Sequence, residues 1–379
     1  MYLTVIEIRA LKSLHRIQHL GNTYVYILQA SEISSRKDGN FLVCPLSVQI
    51  VLSLATVGAR GNTATQLSNC LHLPDNSSEI VSIFQNLSNG LEVDEIYQFT
   101  CANRIFLNKK CSIKSEYNDI AVNTFKSSVE GIDFGDNERA AKQINNWVEN
   151  KTKNKITNLI KKDKLTDDVL AILINALYFH GHWVNEFGKS EGFQKKFYVS
   201  EKETALINVM SQRNYFKYCN NEELNAEFLE LPFLGNDVAM TFVLPKKNVG
   251  ISLLEKNILK VISPQTLRLV DAVITIPMFK MESTIEFKEI LESLGVTEPF
   301  SLQANFEGIS DIPIYISDVV QKTFIEINER GATAAAATEM TLMMVSMPQV
   351  FFTVDRPFIY YLRHRTNGVF FIGRFSRPE

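Results

Sequence analysis

An α+β fold with antiparallel or mixed sheets is what this sequence predicts, on three observations. Helical periodicity dominates the first half, and short β-branched and aromatic runs dominate the second. No internal repeat, Pro-rich linker or low-complexity block divides the 379 residues, which favours one large domain, 1–379. A repeated strand–helix–strand fold would alternate its element types along the chain, and this one does not.

The elements follow in order. PLSVQIVLSLATVGARGNTATQLSNCL opens with Pro45, suited to a first helical turn, carries Val51, Leu52 and Ala55 at helical spacing, and meets stops at Gly58 and Gly61. NERAAKQINNWVENKTKNKITNLI repeats the pattern, with Ile144, Val148, Ile156 and Ile160 on one face and lysines opposite. Then come DVLAILINALYFHGHW, EFLELPF, AMTFVLPKK, DAVITIPMFKME, KTFIEIN and GVFFIGRF, strand-like runs bounded by Gly, Pro or Asp. IEFKEILESLGV reads as a late helix ended by Gly295.

Composition excludes several functions. A net charge of -3 with 21% charged residues argues against a generic binder of nucleic acid or anionic membrane, which needs clustered Lys and Arg. Cys44, Cys70, Cys101, Cys111 and Cys219 are odd in number and lack CxxC spacing, which disfavours a zinc site and a complete disulfide framework and leaves burial as their role. MYLTVIEIRALKSLHRIQHL is interrupted by Glu7, Arg9 and Lys12, too short and too charged for a signal peptide or a membrane span. Asn76, Asn86 and Asn150 head glycosylation sequons that matter only in a secreted protein.

Catalytic signatures are weak. GKSEG, from Gly188 to Gly192, matches the GxSxG nucleophile elbow, but VNEF and FQKKF flank it in place of a clean strand and helix, and His364 alone follows as a base. That reading would make the chain a hydrolase depending on Ser190; the sequence reads instead as a non-enzyme. His180 and His182 lack further metal ligands at helical or ribbon spacing, so no metal is expected. Lys151, Lys153, Lys155, Lys161, Lys162 and Lys164 read as a solvated helix face rather than a polyanion site.

The most unusual stretch is ERGATAAAATEMTLMMVSMPQ, Glu329 to Gln349. Alanine propensity favours a helix there, but the stretch has neither a helical apolar stripe nor a capping box. At period two, Ala332, Ala334, Ala336, Thr338, Met340, Leu342 and Met344 share a face without charge, and the one charge, Glu339, falls on the other. A strand that slides into a sheet over a packed core needs one uncharged face and small residues at its leading end.

With this stretch, the sequence resembles a serpin from about Gly39 to Pro378. NERGATAAAAT is similar to the hinge that starts the reactive centre loop of inhibitory members. NFLVCPLSVQIVLSLATVGARGNTATQL, INNWVENKTKNKI, LINALYFHGHW, LELPFLGNDVAMTFVLPKK, LGVTEPF with ANFEGIS, and DRPFIYYLRHRTNGVFFIGRF resemble further family blocks in the family's order. LGNTYVYILQASEISSRKDGNF is a candidate shortened first helix, and residues 1–20 match nothing in the family.

The resemblance implies three β-sheets, eight or nine helices and an exposed loop offered to a protease. It implies a monomeric inhibitor of serine proteases that acts as a suicide substrate: the cleaved loop inserts into the central sheet and traps a covalent acyl-enzyme. No cofactor is implied. The hinge maps onto Glu329, Gly331, Ala332, Thr333, Ala334, Ala335, Ala336, Ala337 and Thr338. Counting from Glu329 puts the scissile bond at Val345-Ser346 within the loop 329–350, with Met344-Val345 as the alternative. No Lys or Arg lies between Arg330 and Arg356, so an elastase-like or chymotrypsin-like target is expected.

Ser47 and Asn175 match the shutter beneath the central sheet, where hydrogen bonds control the parting of strands, and Gln321 replaces the usual histidine. Trp183 and Glu329 match the breach, where the loop first enters; Met278 replaces a common lysine there, which removes one partner from Glu329. A non-inhibitory carrier, chaperone or storage role is the second reading, which substrate-like cleavage without a trapped complex would mark. The family favours an extracellular location, and the N-terminus as written a cytoplasmic one.

Overall fold

The computed structural model describes residues 39–88, 97–188, 193–247, 250–329, 347–365 and 368–378. Its centre is a mixed five-stranded sheet in the order β10-β11-β4-β2-β3. These strands are β2 (Tyr97–Asn108), β3 (Ser128–Ile132), β4 (Ala171–Gly181), β10 (Phe279–Glu286) and β11 (Ile316–Ile327). The two middle strands, β4 and β11, run parallel, with Ile174 opposite Val320 and Phe179 opposite Ile325.

Both faces of this sheet are covered, which explains why AILINALYF is an almost unbroken apolar run rather than an alternating one. Leu173 and Leu177 of β4 point into the main core with α1 (Pro45–Gly58), and Ile172, Ile174 and Ala176 join a second core with Phe106, Val320 and α5 (Asn137–Lys151). Every residue of α1 is buried, so its sequence lacks a polar stripe. Gly58 ends it for a packing reason, since a Cβ there would lie 2.3 Å from Ile309 Cγ1. By contrast α5 buries Ala140, Ala141, Ile144 and Val148 only, and the Asp136 side chain caps its Arg139 N–H.

A second assembly joins nine strands through one long strand, β6 (Thr204–Asn221). Residues 204–208 of β6 pair with β5 (Gln194–Tyr198), and 209–218 pair with β9 (Arg268–Pro277), which in turn holds β12 (Val350–Thr353). Its far end pairs with β7 (Ala226–Pro232), leading to β8 (Val238–Pro245), β13 (Phe358–His364), β14 (Gly368–Phe375) and β1 (Phe41–Val43). Among the described residues the strands form two hydrogen-bonded sheets where the resemblance implies three, because β6 runs unbroken from its pairing with β9 to its pairing with β7.

Eight α-helices lie among the described residues: α1, α2 (Gly61–Leu71), α3 (Ser77–Ser88), α4 (Ser115–Asn123), α5, α6 (Ser252–Lys256), α7 (Ile258–Ile262) and α8 (Lys288–Ser293). None is long and apolar enough to cross a membrane. Three expectations need correction. The first half is less helical than its periodicity suggests, because β1, β2 and β3 lie there. The helix beginning at Asn137 stops at Lys151, since Lys153 and Asn154 adopt positive φ; Ile156 and Ile160 still reach the second core, from a loop. In IEFKEILESLGV, Ile285 and Glu286 extend β10 and only Lys288–Ser293 is α-helical, with Gly295 at φ +89° behind it.

Candidate functional site

The seam between β4 and β11 is where a row of polar side chains crosses an otherwise apolar sheet. Strand register lines up Asn103 of β2, Asn175 of β4 and Gln321 of β11 on one rung. Asn175 and Gln321 have no exposed surface. Buried amides of this kind are tolerated only when hydrogen-bonded.

They are. Gln321 Nε2 donates to Asn175 Oδ1 at 2.5 Å and to the Cys44 carbonyl at 2.9 Å, and Gln321 Oε1 accepts from the Cys44 N–H at 2.9 Å. Asn175 Nδ2 donates to Ser47 Oγ and to Asn103 Oδ1. Ser47 Oγ donates to Asn103 Oδ1 at 3.2 Å and lies 2.8 Å from Cys101 Sγ. Burial raises the thiols of Cys44 and Cys101, the latter to about 11, so both are neutral at physiological pH. The sequence-derived trio Ser47, Asn175 and Gln321 is thus brought together, and glutamine both donates and accepts as its chemistry allows. Asn103 and Cys101 were missed; an asparagine inside the apolar strand QFTCANRIFL is itself the signal of a buried polar network.

At one end of the seam, Trp183 Nε1 donates to the Asn328 carbonyl at 2.9 Å, and Phe187 N donates to the Glu329 carbonyl at 2.9 Å. The indole stacks on Phe233 with centroids 4.3 Å apart. The chain just after β11 is therefore pinned to the chain just after β4. Met278 is partly buried against the core, its N–H bonded to the Asn208 carbonyl.

The opposite face of the seam is strapped by the loop after α5. Lys322 Nζ, on β11, donates to the Thr157 carbonyl at 2.6 Å and pairs with Glu282 at 2.6 Å. Lys155 Nζ lies 5.9 Å from the ring centroids of both Tyr178 and Phe324, a pair that spans the seam, and 3.8 Å from Glu326. Lys153, Lys155, Lys161, Lys162 and Lys164 therefore lie beyond the helix, exposed, not along its face. Beside them His180 Nδ1 meets Tyr178 Oη at 2.9 Å while its buried Nε2 meets no hydrogen-bond partner among the described residues. Burial first, then the nearby cationic groups, lower its pKa.

Hinge residues Gly331, Ala332, Thr333, Ala334, Ala335, Ala336, Ala337 and Thr338 and bond residues Met344, Val345 and Ser346 lie outside the described residues, as do Lys189, Ser190, Glu191, Gly192 and residues 1–38. No cluster of three or more His, Cys, Asp or Glu suited to a metal occurs among the described residues, and the five cysteines are free thiols.

The family model described as Serpin (serine protease inhibitor) matches residues 22–378. The chain belongs to the serpin family. The match begins earlier than Gly39 and leaves 1–21 outside it. Human Serpin B4 is 31% identical over 368 residues, covering 90% of this chain and 94% of that one. Human leukocyte elastase inhibitor is 32% identical over 355 residues, covering 90% and 93%. Among solved structures, Serpin48, a highly specific serpin of the insect Tenebrio molitor, superposes with a TM-score of 0.86 at 34% identity, covering 96% of this serpin and 99% of the insect one. The family model's description and a relative named leukocyte elastase inhibitor agree with the reading of this serpin as a non-enzyme.

Proposed function

We propose that this serpin inhibits a serine protease as a suicide substrate. The loop 329–350 is cleaved near Val345-Ser346, or at Met344-Val345, and its N-terminal part enters the central sheet between β4 and β11, leaving the protease as a covalent acyl-enzyme. The supporting observation is the polarity of the seam. A strand that turns back after β11 runs antiparallel to β11 and, because β4 parallels β11, antiparallel to β4 as well. Insertion exchanges one parallel ladder for two antiparallel ones, which are more stable per residue. The alanine-rich, uncharged face of 332–344 suits a strand that must cross a buried rung.

The target is an elastase-like or chymotrypsin-like protease, because Leu342, Met343, Met344 and Val345 offer only apolar side chains before the bond. A relative named leukocyte elastase inhibitor points the same way. The test is to mix the purified protein with pancreatic elastase and with chymotrypsin, run denaturing gels, and sequence the released C-terminal peptide. A denaturant-resistant complex and a fragment starting at Ser346 are expected. Clean cleavage that leaves the protease active would sink the inhibitor reading in favour of a carrier, chaperone or storage role.

A further inference from the structure

The ends of β5 and β8 meet the chain that follows β12 around a half-open cleft of about 700 Å³, the size of a small-molecule site. Its walls are residues 198–201, 245–247 with 250–251, and 355–357. The Tyr198 N–H donates to the Asp355 carbonyl at 2.7 Å, and Arg356 Nε donates to the Pro245 carbonyl at 2.8 Å, so the three stretches are laced together around the space. Pro245, Ile251, Pro357 and the half-buried ring of Tyr198 supply apolar surface.

The charges in the wall are unevenly matched. Asp355 serves two cations at once: Oδ1 takes Arg356 Nη1 at 2.6 Å, and Oδ2 lies 3.9 Å from Lys247 Nζ. Lys246 is occupied by Glu222 at 2.8 Å, and Glu201 stands exposed on the bend after β5. A guanidinium carries five N–H donors. Arg356 spends one on Pro245 and one on Asp355, and its side chain is only 14% exposed, so unspent donors lie in the wall where little water reaches them. Ser200 Oγ accepts from the Lys202 and Glu203 N–H groups, which leaves its own O–H to donate.

We propose that this cleft binds a small organic monocarboxylate with an aromatic or aliphatic body. The ligand's carboxylate joins Arg356 and Lys247 as the second anion beside Asp355, completing a group of two cations and two anions through charge-assisted hydrogen bonds. Its body covers the apolar wall. An inorganic anion meets the charges but leaves that wall wet, and a neutral amphiphile covers the wall but leaves the guanidinium donors unspent. Because the ligand touches all three stretches, occupancy holds the end of β5 against the chain that follows β12 and stabilises the fold by mass action. The site stands apart from the seam and does not depend on the inhibitor reading.

The experiment titrates the purified full chain by calorimetry with 3-phenylpropionate, with its neutral counterpart 3-phenylpropanol, and with inorganic phosphate. The carboxylate is expected to bind with a Kd of about 1 mM or tighter, and the other two at least about tenfold more weakly. Lys247→Gln should weaken the carboxylate about threefold or more, whereas Glu201→Gln should tighten it by removing a like charge from the wall. Both side chains are exposed, so thermal midpoints without ligand stay as in wild type. No saturable binding of 3-phenylpropionate up to about 10 mM overturns the proposal. Equal binding of the alcohol makes the cleft merely apolar, equal binding of phosphate makes it a bare anion site, and an affinity that neither variant changes puts the binding elsewhere; each overturns the proposal as well.

Discussion

Gln321 and Asn175 face each other on adjacent parallel strands, and Gln321 Nε2 donates to Asn175 Oδ1 at 2.5 Å across the seam of the central sheet. The same glutamine amide holds both the N–H and the carbonyl of Cys44, so one side chain ties two strands to the start of α1. Parting β4 from β11 must break this rung in a site without water access, where each lost bond exposes a buried polar group.

Gln321→Ala should therefore lower stability by about 2–4 kcal/mol, because it strands Asn175 Oδ1 and the Cys44 N–H and leaves the Cys44 carbonyl with only the Val48 N–H at 3.4 Å. Urea unfolding followed by tryptophan fluorescence measures it. A loss under about 0.5 kcal/mol would mean that the rung is not a lock.

Gln321→His tests the identity of the lock. The wild-type rung contains no group that titrates near neutrality, whereas a histidine buried there is held neutral and must charge as pH falls. Its folded pKa lies below the unfolded value of about 6.5, so its stability contribution is present above that value and is lost as pH drops through the folded pKa. The variant should be markedly less stable relative to wild type at pH 5.5 than at pH 7.5. An equal difference at both values would contradict the geometry.

His180 gives the wild type a pH dependence of its own. Burial lowers its pKa; His182, Lys155 and Lys153 add to the shift and Glu326 opposes it, with Tyr178 bonded to Nδ1. A depressed histidine stabilises the fold above the unfolded value of about 6.5 and ceases to do so as pH falls through its folded pKa. Thermal midpoints should drop between pH 7.5 and pH 5.5, and His180→Gln should narrow that drop. His364, also lowered by burial, accounts for a residue of the effect.

Ala332→Arg should turn inhibitor into substrate, since the first step of insertion would have to bury a guanidinium with no partner. On a denaturing gel the trapped band should fade at least about tenfold in favour of cleaved chain. Undiminished trapping is the result that speaks against insertion.

Val345→Arg should redirect the loop to trypsin-like proteases, read as the appearance of a trypsin complex and the loss of the elastase one. An unchanged target profile would move the bond to a neighbouring position.

Much of the fold was legible because periodicity and burial coincide. The run AILINALYF could only be a strand covered on both faces, and Pro45 and Gly58 bracket α1. Ile156 and Ile160 misled because they keep a helix's apolar spacing while the backbone has already left the helix at Lys151. Ser47, Asn175 and Gln321 could be located from family likeness, yet Asn103 joined them only through register between strands about seventy residues apart in sequence, which no local pattern encodes.

Cys44 gives the molecule an internal clock. Its thiol is sealed at the start of α1, directly behind the glutamine that closes the seam, and it carries no disulfide. An alkylating reagent reaches it only during excursions that separate α1 from β11, so the labelling half-time of Cys44 counts those excursions in the resting protein. The parting of α1 from the seam becomes a rate that mass spectrometry can read, without protease or any added probe site.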